Sequence, residues 1–361
     1  MTARVAINGF GRIGRGVVRA ALARHAGDVE IVAVNDPGAT DVLAHLLTFD
    51  SLHGRLQAAV RTRGERIEVG ELSIATFHER DPGRLPWADL GIDCVIEATG
   101  RFTTRESASQ HLASGAARVL VSAPCRDADI TICMGVNDHL FDPSRHVVVS
   151  NASCTTNCLA VMLTVLHRHF GVEWAFATTV HAYTNDQRLL DGGHSDLRRA
   201  RAAALNIIPT RTGEGRALAE VMPELAGRVD GLALRVPVPD GSVTDLVCGL
   251  RTSPDRSDVD DAFAAAVAGP MKNVLGYARW PLVSGDIVGD PHSCVYAAGD
   301  TVVRGHQVKV LGWYDNEWAY ANRLLEAASL LTRPSRHYHS ENPDSQNAEL
   351  ASGPRLSVRS L

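Results

Sequence analysis

The chain predicts an α/β protein, a doubly wound parallel sheet followed by an α+β unit with a mixed sheet. Three observations carry this reading. Short apolar runs alternate with helical stretches as far as Asn151, longer strand-like runs dominate beyond it, and a helical pattern over Trp318 to Leu331 follows the last strand. With 361 residues the chain is long enough for two domains with well-buried cores. A net charge of −5 provides no global field to hold nucleic acid or an anionic membrane, so neither is expected as a partner. No segment approaches a membrane span, and the opening MTARVAINGF lacks the form of a signal peptide. Seven irregularly spaced cysteines do not form a disulfide framework in so long a chain, which predicts a cytoplasmic protein with reduced thiols.

Taken in order, RVAING (Arg4 to Gly9) reads as a buried strand, Ile13 to Arg24 as a helix and VEIVAVN (Val29 to Asn35) as a second strand. CVIEATG (Cys94 to Gly100) and RVLVSAP (Arg118 to Pro124) read as further strands of the same sheet. After Asn151 come FATTVHAYT (Phe176 to Thr184), GLALRVPVP (Gly231 to Pro239) and VTDLVCGL (Val243 to Leu250), with helical stretches at Asp258 to Ala268 and near Ala217 to Glu220. Tyr320, Leu324, Ala328 and Leu331 recur at helical spacing, and beyond Arg333 the apolar periodicity stops. The tail 334–361 is expected to be disordered or loosely docked.

GFGRIG (Gly9 to Gly14) fits G-x-G-x-x-G directly after a strand and at the start of a helix. The first glycine permits the tight turn, the second lets a pyrophosphate approach the backbone, and the third lets helix and strand pack closely. The helix N-terminus adds free N–H groups and a partial positive charge. Asp36 follows the second strand, 22 residues beyond Gly14, where a carboxylate accepts hydrogen bonds from a ribose 2′-OH and repels a 2′-phosphate. A Rossmann unit preferring NAD to NADP follows from the combination.

NASCTTNCLA (Asn151 to Ala160) opens a helical stripe of Leu159, Met162, Leu163, Leu166 and Phe170. Ser153 is a candidate N-cap, and a thiol at Cys154 would feel the helix N-terminus, which favours the thiolate. The C-x-x-x-C spacing to Cys158 matches neither a redox pair nor a zinc clamp, and no second cysteine pair follows. Most isolated cysteines are small core residues, but the collar of Ser153, Thr155, Thr156 and Asn157 argues against a dry core here. His181, within TTVHAYT, is a candidate base. Chain spacing leaves open whether it meets Cys154 or is structural, as most lone histidines are.

With these come AHLLTFDSLHGRL (Ala44 to Leu56), DLRRARAAALNIIPTRTG (Asp196 to Gly213), LRVPVP (Leu234 to Pro239) and WYDNEWAYANR (Trp313 to Arg323). From Val5 to about Leu331, in collinear order, the chain resembles the phosphorylating (type I) glyceraldehyde-3-phosphate dehydrogenases. The resemblance implies a homotetramer whose subunits have a NAD-binding domain over 1–153, a catalytic domain over 154–316 and a helix over 317–332 that returns to the first domain. It also implies a reversible oxidation of glyceraldehyde 3-phosphate by NAD and inorganic phosphate, in glycolysis or gluconeogenesis, through a thioester on Cys154 with His181 as base. Thr184 and Arg235 would hold the substrate phosphate; Ser153, Thr155, Thr212 and Gly213 would frame the attacking phosphate. Arg12 and Ile13 would lie at the pyrophosphate beside Gly9, Gly11 and Gly14, Asp36 at the adenosine ribose, Arg80 and Ser122 along the cofactor, and Asn316 at the nicotinamide amide. No metal is called for.

The chain departs from the usual family pattern at Val161, at Gly192 and Gly193, at Asp240 and Gly241, at Ala319, and at Arg211, Glu214 and Arg216. The glycine pair removes a side-chain wall that would exclude NADP, so NAD preference rests more on Asp36. These changes predict a specialised paralogue, tuned in cofactor, direction or tolerance of thiol-directed inhibitors. The rival readings are an erythrose-4-phosphate dehydrogenase, which usually lacks the HAYT threonine and the IIPTxTG loop, and a non-catalytic Rossmann protein that binds RNA or a protein partner.

Overall fold

The computed structural model describes residues 2–24, 28–210 and 214–333. Thr212, Gly213, Arg211 and the tail 334–361 lie outside the described residues, as does the side chain of Glu214. Two large sheets organise the chain.

The first sheet has nine strands. In spatial order they are Ile130–Thr131, Val148–Ser150, Arg118–Val121, Cys94–Glu97, Ala3–Asn8, Val29–Asn35, Leu72–Phe77, Arg66–Val69 and Val60–Thr62. Every pairing from Ile130–Thr131 to Leu72–Phe77 is parallel, and the last two are antiparallel. The order reverses direction at Ala3–Asn8, which lies between Val29–Asn35 and Cys94–Glu97. A crevice opens at such a switch point beyond the carboxyl ends of the strands. Gly9, Asp36 and Ala98 directly follow the three strands that border it.

Beneath that crevice is a buried polar cluster. Trp87 Nε1 donates to His111 Nδ1 (3.0 Å), which leaves His111 Nε2–H to donate to Glu97 Oε2 (3.0 Å). Asn8 Nδ2 donates to the same oxygen (2.5 Å), and Glu97 Oε1 accepts from Thr99 N (2.8 Å). The carboxylate therefore reaches full burial with its lone pairs used, and it fixes the strand ends that carry the glycine turn.

The second sheet has eight strands and is mixed. The strand Val172–Ala182 lies between Val229–Val236, to which it is parallel, and Ser242–Leu250, to which it is antiparallel. The helix Cys154–Phe170 packs against this sheet through Leu159, Met162, Leu163 and Leu166, all fully buried. The last helix, Trp318–Thr332, instead joins the core of the first sheet, where Ala321, Leu324, Ala328 and Leu331 pack with Val17, Val18 and Ile31. Small residues set the approach of the first helix, Arg12–Arg24: a Cβ on Gly16 would lie 3.1 Å from Ala321 Cβ. No described helix is long and apolar enough to cross a membrane.

The apolar strand runs and the late helix appear where the sequence pattern places them. The pattern gave no sign of the helix Thr40–Thr48 or of the antiparallel edge strands between Val60 and Phe77.

Leu324 is fully buried at the contact of the first and last helices. Leu324→Ala should cost about 2–5 kcal/mol of stability, read as a lower calorimetric midpoint; an unchanged midpoint would mean that this helix does not hold the first core together.

Candidate active site

The strand Val148–Ser150 of the first sheet ends next to the helix Cys154–Phe170 of the second core, and three residues make the connection. Ala152 bridges them with φ +54°, a conformation that L-residues other than asparagine and aspartate rarely adopt, and it is fully buried. Its N–H donates to Ser150 Oγ (3.1 Å), and its carbonyl accepts from Tyr320 Oη (2.9 Å) of the last helix. Ser153 caps the helix, its Oγ accepting from Thr156 N (2.9 Å). Cys154 is the first helical residue and is half-buried, so its thiol sits at the positive end of the helix and remains accessible. Cys158, one turn on, is fully buried and donates to Gly312 O (3.6 Å).

The parallel register sets His181 opposite Arg235. His181 Nε2 lies 3.5 Å from Cys154 Sγ. Its Nδ1 lies 2.7 Å from Ala182 O and 2.9 Å from Arg235 Nη1. Burial, then the adjacent Arg235 charge, push the His181 imidazole down to about 3, so the ring is neutral at physiological pH. Burial also lowers the Arg235 guanidinium. Arg235 Nη1 reaches Thr184 Oγ1 (3.5 Å), while its buried Nε–H has no acceptor among the described residues, leaving a donor for an incoming oxyanion. Thr155 Oγ1 pairs with Tyr314 Oη (2.9 Å), and the Tyr314 ring stands edge-on to His181 at 6.1 Å.

The dinucleotide crevice is a cavity of about 230 Å³ lined by Asn8, Gly9, Gly11, Asn35, Asp36, Arg80 and Phe102, among others. A Cβ on Gly9 would lie 2.7 Å from the Ala98 backbone, and one on Gly14 would lie 2.2 Å from Gly9 O. Gly11 meets nothing within 4 Å, so its face is open for a close-lying phosphate. The first helical bond recorded after the turn runs from Arg15 N to Gly11 O (3.0 Å), so the amides of Arg12 and Ile13 precede any helical acceptor. Asp36 accepts from Phe10 N (3.0 Å) and Gly38 N (2.9 Å), which holds its carboxylate at the crevice edge. These residues fit a dinucleotide. Ser122 is fixed by its N–H donating to Glu97 O (2.9 Å), and Asn316 Oδ1 accepts from Ser242 Oγ (2.6 Å).

The Arg12 guanidinium is held by Asp50 (2.6 Å) and by Glu317, which leaves its backbone amide to face the crevice turn. The collar around Cys154 does not face solvent as a set: Thr156 and Asn157 are buried, and Asn157 Nδ2 donates to Asn151 O (3.0 Å) and Ser153 O (2.9 Å). They hold the turn, and only Ser153 and Cys154 remain half-exposed.

Two family profiles match the chain. One, described as glyceraldehyde 3-phosphate dehydrogenase, C-terminal domain, covers residues 153–316, and the other, described as the NAD binding domain of the same enzyme, covers residues 3–105. The chain belongs to the glyceraldehyde 3-phosphate dehydrogenase family. It is 56% identical over 331 residues to glyceraldehyde-3-phosphate dehydrogenase 2 of Streptomyces arenae, covering 92% of this chain and 99% of that protein. It is 52% identical over 336 residues to glyceraldehyde-3-phosphate dehydrogenase of Mycobacterium avium, covering 92% of this chain and 99% of that protein.

Within this family frame, the structure adds residues that the motifs did not single out. Ala152 and Tyr320 hold the turn into the cysteine helix, and Tyr314 flanks His181. Arg199 donates to Thr210 Oγ1 (3.0 and 2.9 Å), is ion-paired with Asp186, and lies close enough to His181 to lower it further. In LRRARAAALNIIPT three arginines compete for such a position, and nothing in the spacing selects among them.

Cys154→Ser should lower turnover by at least about a thousandfold, whereas Cys158→Ser should retain most of it. Similar losses in both would refute the single-nucleophile reading.

Proposed function

We propose that the chain oxidises glyceraldehyde 3-phosphate to 1,3-bisphosphoglycerate with NAD and inorganic phosphate, reversibly, through a thioester on Cys154. The observation that carries this is the 3.5 Å approach of His181 Nε2 to a thiol at a helix start, with Arg235 directly behind the imidazole. The names of the related proteins and the NAD-binding profile support it.

The Cys154 thiol adds to the aldehyde carbon, its proton passing through His181 Nε2 to the carbonyl oxygen to give a hemithioacetal, while the Cys154 amide with His181 stabilises the charge that develops on that oxygen. His181 Nε2 then takes the hydroxyl proton as the carbonyl re-forms. Bound in the crevice, the nicotinamide supplies the hydride acceptor for that carbon. Gly9, Gly11, Gly14 and the amides of Arg12 and Ile13 would hold its pyrophosphate and Asp36 its adenosine ribose. Arg80 and Ser122 would line it, and Asn316 would orient the carboxamide. Inorganic phosphate attacks the resulting thioester, and the Cys154 thiolate leaves as the acyl phosphate is released. Thr184 and Arg235 hold the substrate phosphate. Ser153, Thr155, Thr212 and Gly213 would frame the attacking one. In this reading 1–153, closed by 317–332, binds NAD and 154–316 carries the chemistry.

Association into a homotetramer is part of the same proposal. Leu189, Leu190, Leu197, Leu205 and Ile207 are 66–82% exposed in one segment, and Phe176 and Leu232 are exposed on the second sheet. Apolar surface this dense, where no described helix is long and apolar enough to cross a membrane, calls for a protein contact. A cytoplasmic location accords with seven cysteines at irregular spacings in a chain of this length.

Initial rates with glyceraldehyde 3-phosphate should require an added phosphate acceptor for sustained turnover and favour NAD over NADP. Turnover independent of phosphate, or none with either nucleotide, would overturn the proposal.

Arg235 also couples substrate to base. Arg235 Nη1 donates to Ala182 O (3.0 Å), the carbonyl that His181 Nδ1 faces at 2.7 Å; a phosphate that draws Arg235 away leaves that carbonyl to Nδ1–H alone, which gives Nε2 the lone pair. Neutralising Arg235 also removes a charge that pushes His181 down. The acid limb of the acylation burst rate should therefore fall at higher pH with glyceraldehyde 3-phosphate than with glyceraldehyde. Coincident limbs would exclude the coupling.

A further inference from the structure

The geometry points to a divalent-cation site next to Asn316 in the chain, with His53, Asp240 and Asp315 as its ligands. One ligand atom from each of the three lies within 4.8 Å of the others. His53 Nε2 is 3.8 Å from Asp240 Oδ2. Bonds of about 2.0–2.2 Å from a central ion place opposed ligand atoms up to about 4.4 Å apart, so a shift of a few tenths of an ångström closes the set.

The decisive atom is Asp240 Oδ2. The Asp240 side chain is fully buried, its Oδ1 accepts from Gly241 N (2.8 Å), and Oδ2 has no hydrogen-bond partner while it faces the imidazole. A buried carboxylate oxygen left in this state is costly unless a cation or proton meets it. Among the described residues, no arginine or lysine forms an ion pair with Asp240 or Asp315. The Arg12 guanidinium is already shared between Asp50 and Glu317.

The surroundings are those of a held site. Asp315 accepts from Gly289 N (2.7 Å) at Oδ2 and from Glu317 N (2.9 Å) and Trp318 N (2.6 Å) at Oδ1, so its orientation is fixed. Asp50 fixes the His53 turn by accepting from its N–H (3.0 Å). Glu317 Oε2, 3.8 Å from His53 Nε2, adds charge without leaving Arg12. A cavity of about 670 Å³ bordered by His53, Gly289 and Trp318 gives an ion and its waters a way in. One imidazole with two carboxylates and open positions suits a borderline or hard ion of the manganese or zinc type. Occupancy would tie Asp240, two residues before Ser242, to Asp315, one before Asn316, and so brace the Ser242–Asn316 hydrogen bond.

The full-length protein, stripped with chelator and titrated with Mn²⁺ at pH 8, tests this by electron paramagnetic resonance of the free ion. One saturable Mn²⁺ per chain is expected, accompanied by a rise in the thermal midpoint. Asp240→Asn, which keeps the shape, and independently His53→Gln should each weaken Mn²⁺ binding by about tenfold or more, while Cys154→Ser should leave it unchanged. No saturable binding, or equal binding in Asp240→Asn and His53→Gln, would overturn the site and leave a proton as the occupant of Asp240. Loss of binding in Cys154→Ser would also overturn it by placing the ion on the thiol.

Discussion

The turn at Ala152 is held against its own backbone preference, and the placement of the thiol depends on it. A left-handed alanine costs about 1–2 kcal/mol, and three features keep it there: full burial, the bond to Ser150 Oγ and the phenol of Tyr320. Because Tyr320 belongs to the last helix, the far end of the chain holds the entry to the cysteine helix. If the turn relaxed, the start of Cys154–Phe170 would no longer hold the Cys154 sulfur 3.5 Å from His181 Nε2. The Ser153 cap and the buried pair Thr156 and Asn157 are therefore parts of one bracket whose product is a half-exposed sulfur at a helix start.

Strand register performs the equivalent task for the base. Parallel pairing sets His181 and Arg235 side by side, and the cation depresses the imidazole that it also helps to orient. In an empty site this keeps the ring neutral, which suits a group that must accept a proton. Burial supplies most of that depression; on the proposed reading a phosphate at Arg235 would offset the part due to the cation, and binding energy at the phosphate would then be spent on base strength at the reacting carbon.

How much of this was legible follows from the range of each signal. The glycine turn, Asp36 and the stripe behind Cys154 are local patterns, and the structure places them as the pattern implies. The proximity of His181 to Cys154 is not local, since the two residues belong to a strand and a helix joined only by tertiary packing. The motif puts Arg12 at the phosphate turn but gives no sign that its guanidinium is held by Asp50 and by Glu317, the latter 305 residues away. Ala152 carries no signal, since alanine is compatible with any element. The edge strands around Arg66–Val69 were missed because polar residues interrupt their alternation, as is usual at a sheet edge.

The segment from Asp315 to Glu317 shows how one tripeptide can serve both halves of the molecule. Asp315 accepts two amides at the start of the last helix, which fixes where that helix begins and hence where Tyr320 reaches Ala152. Glu317 ties Arg12, the first residue of the helix that opens the dinucleotide crevice. Asn316 lies between them, turned to Ser242 and the second sheet. Cofactor crevice, nicotinamide-side contact and cysteine turn thus share a single anchor, so a disturbance at this anchor reaches all three together. That shared dependence explains why so many carboxylates are concentrated there: each ties a different element, and the residual negative charge follows from making one short segment do the joining.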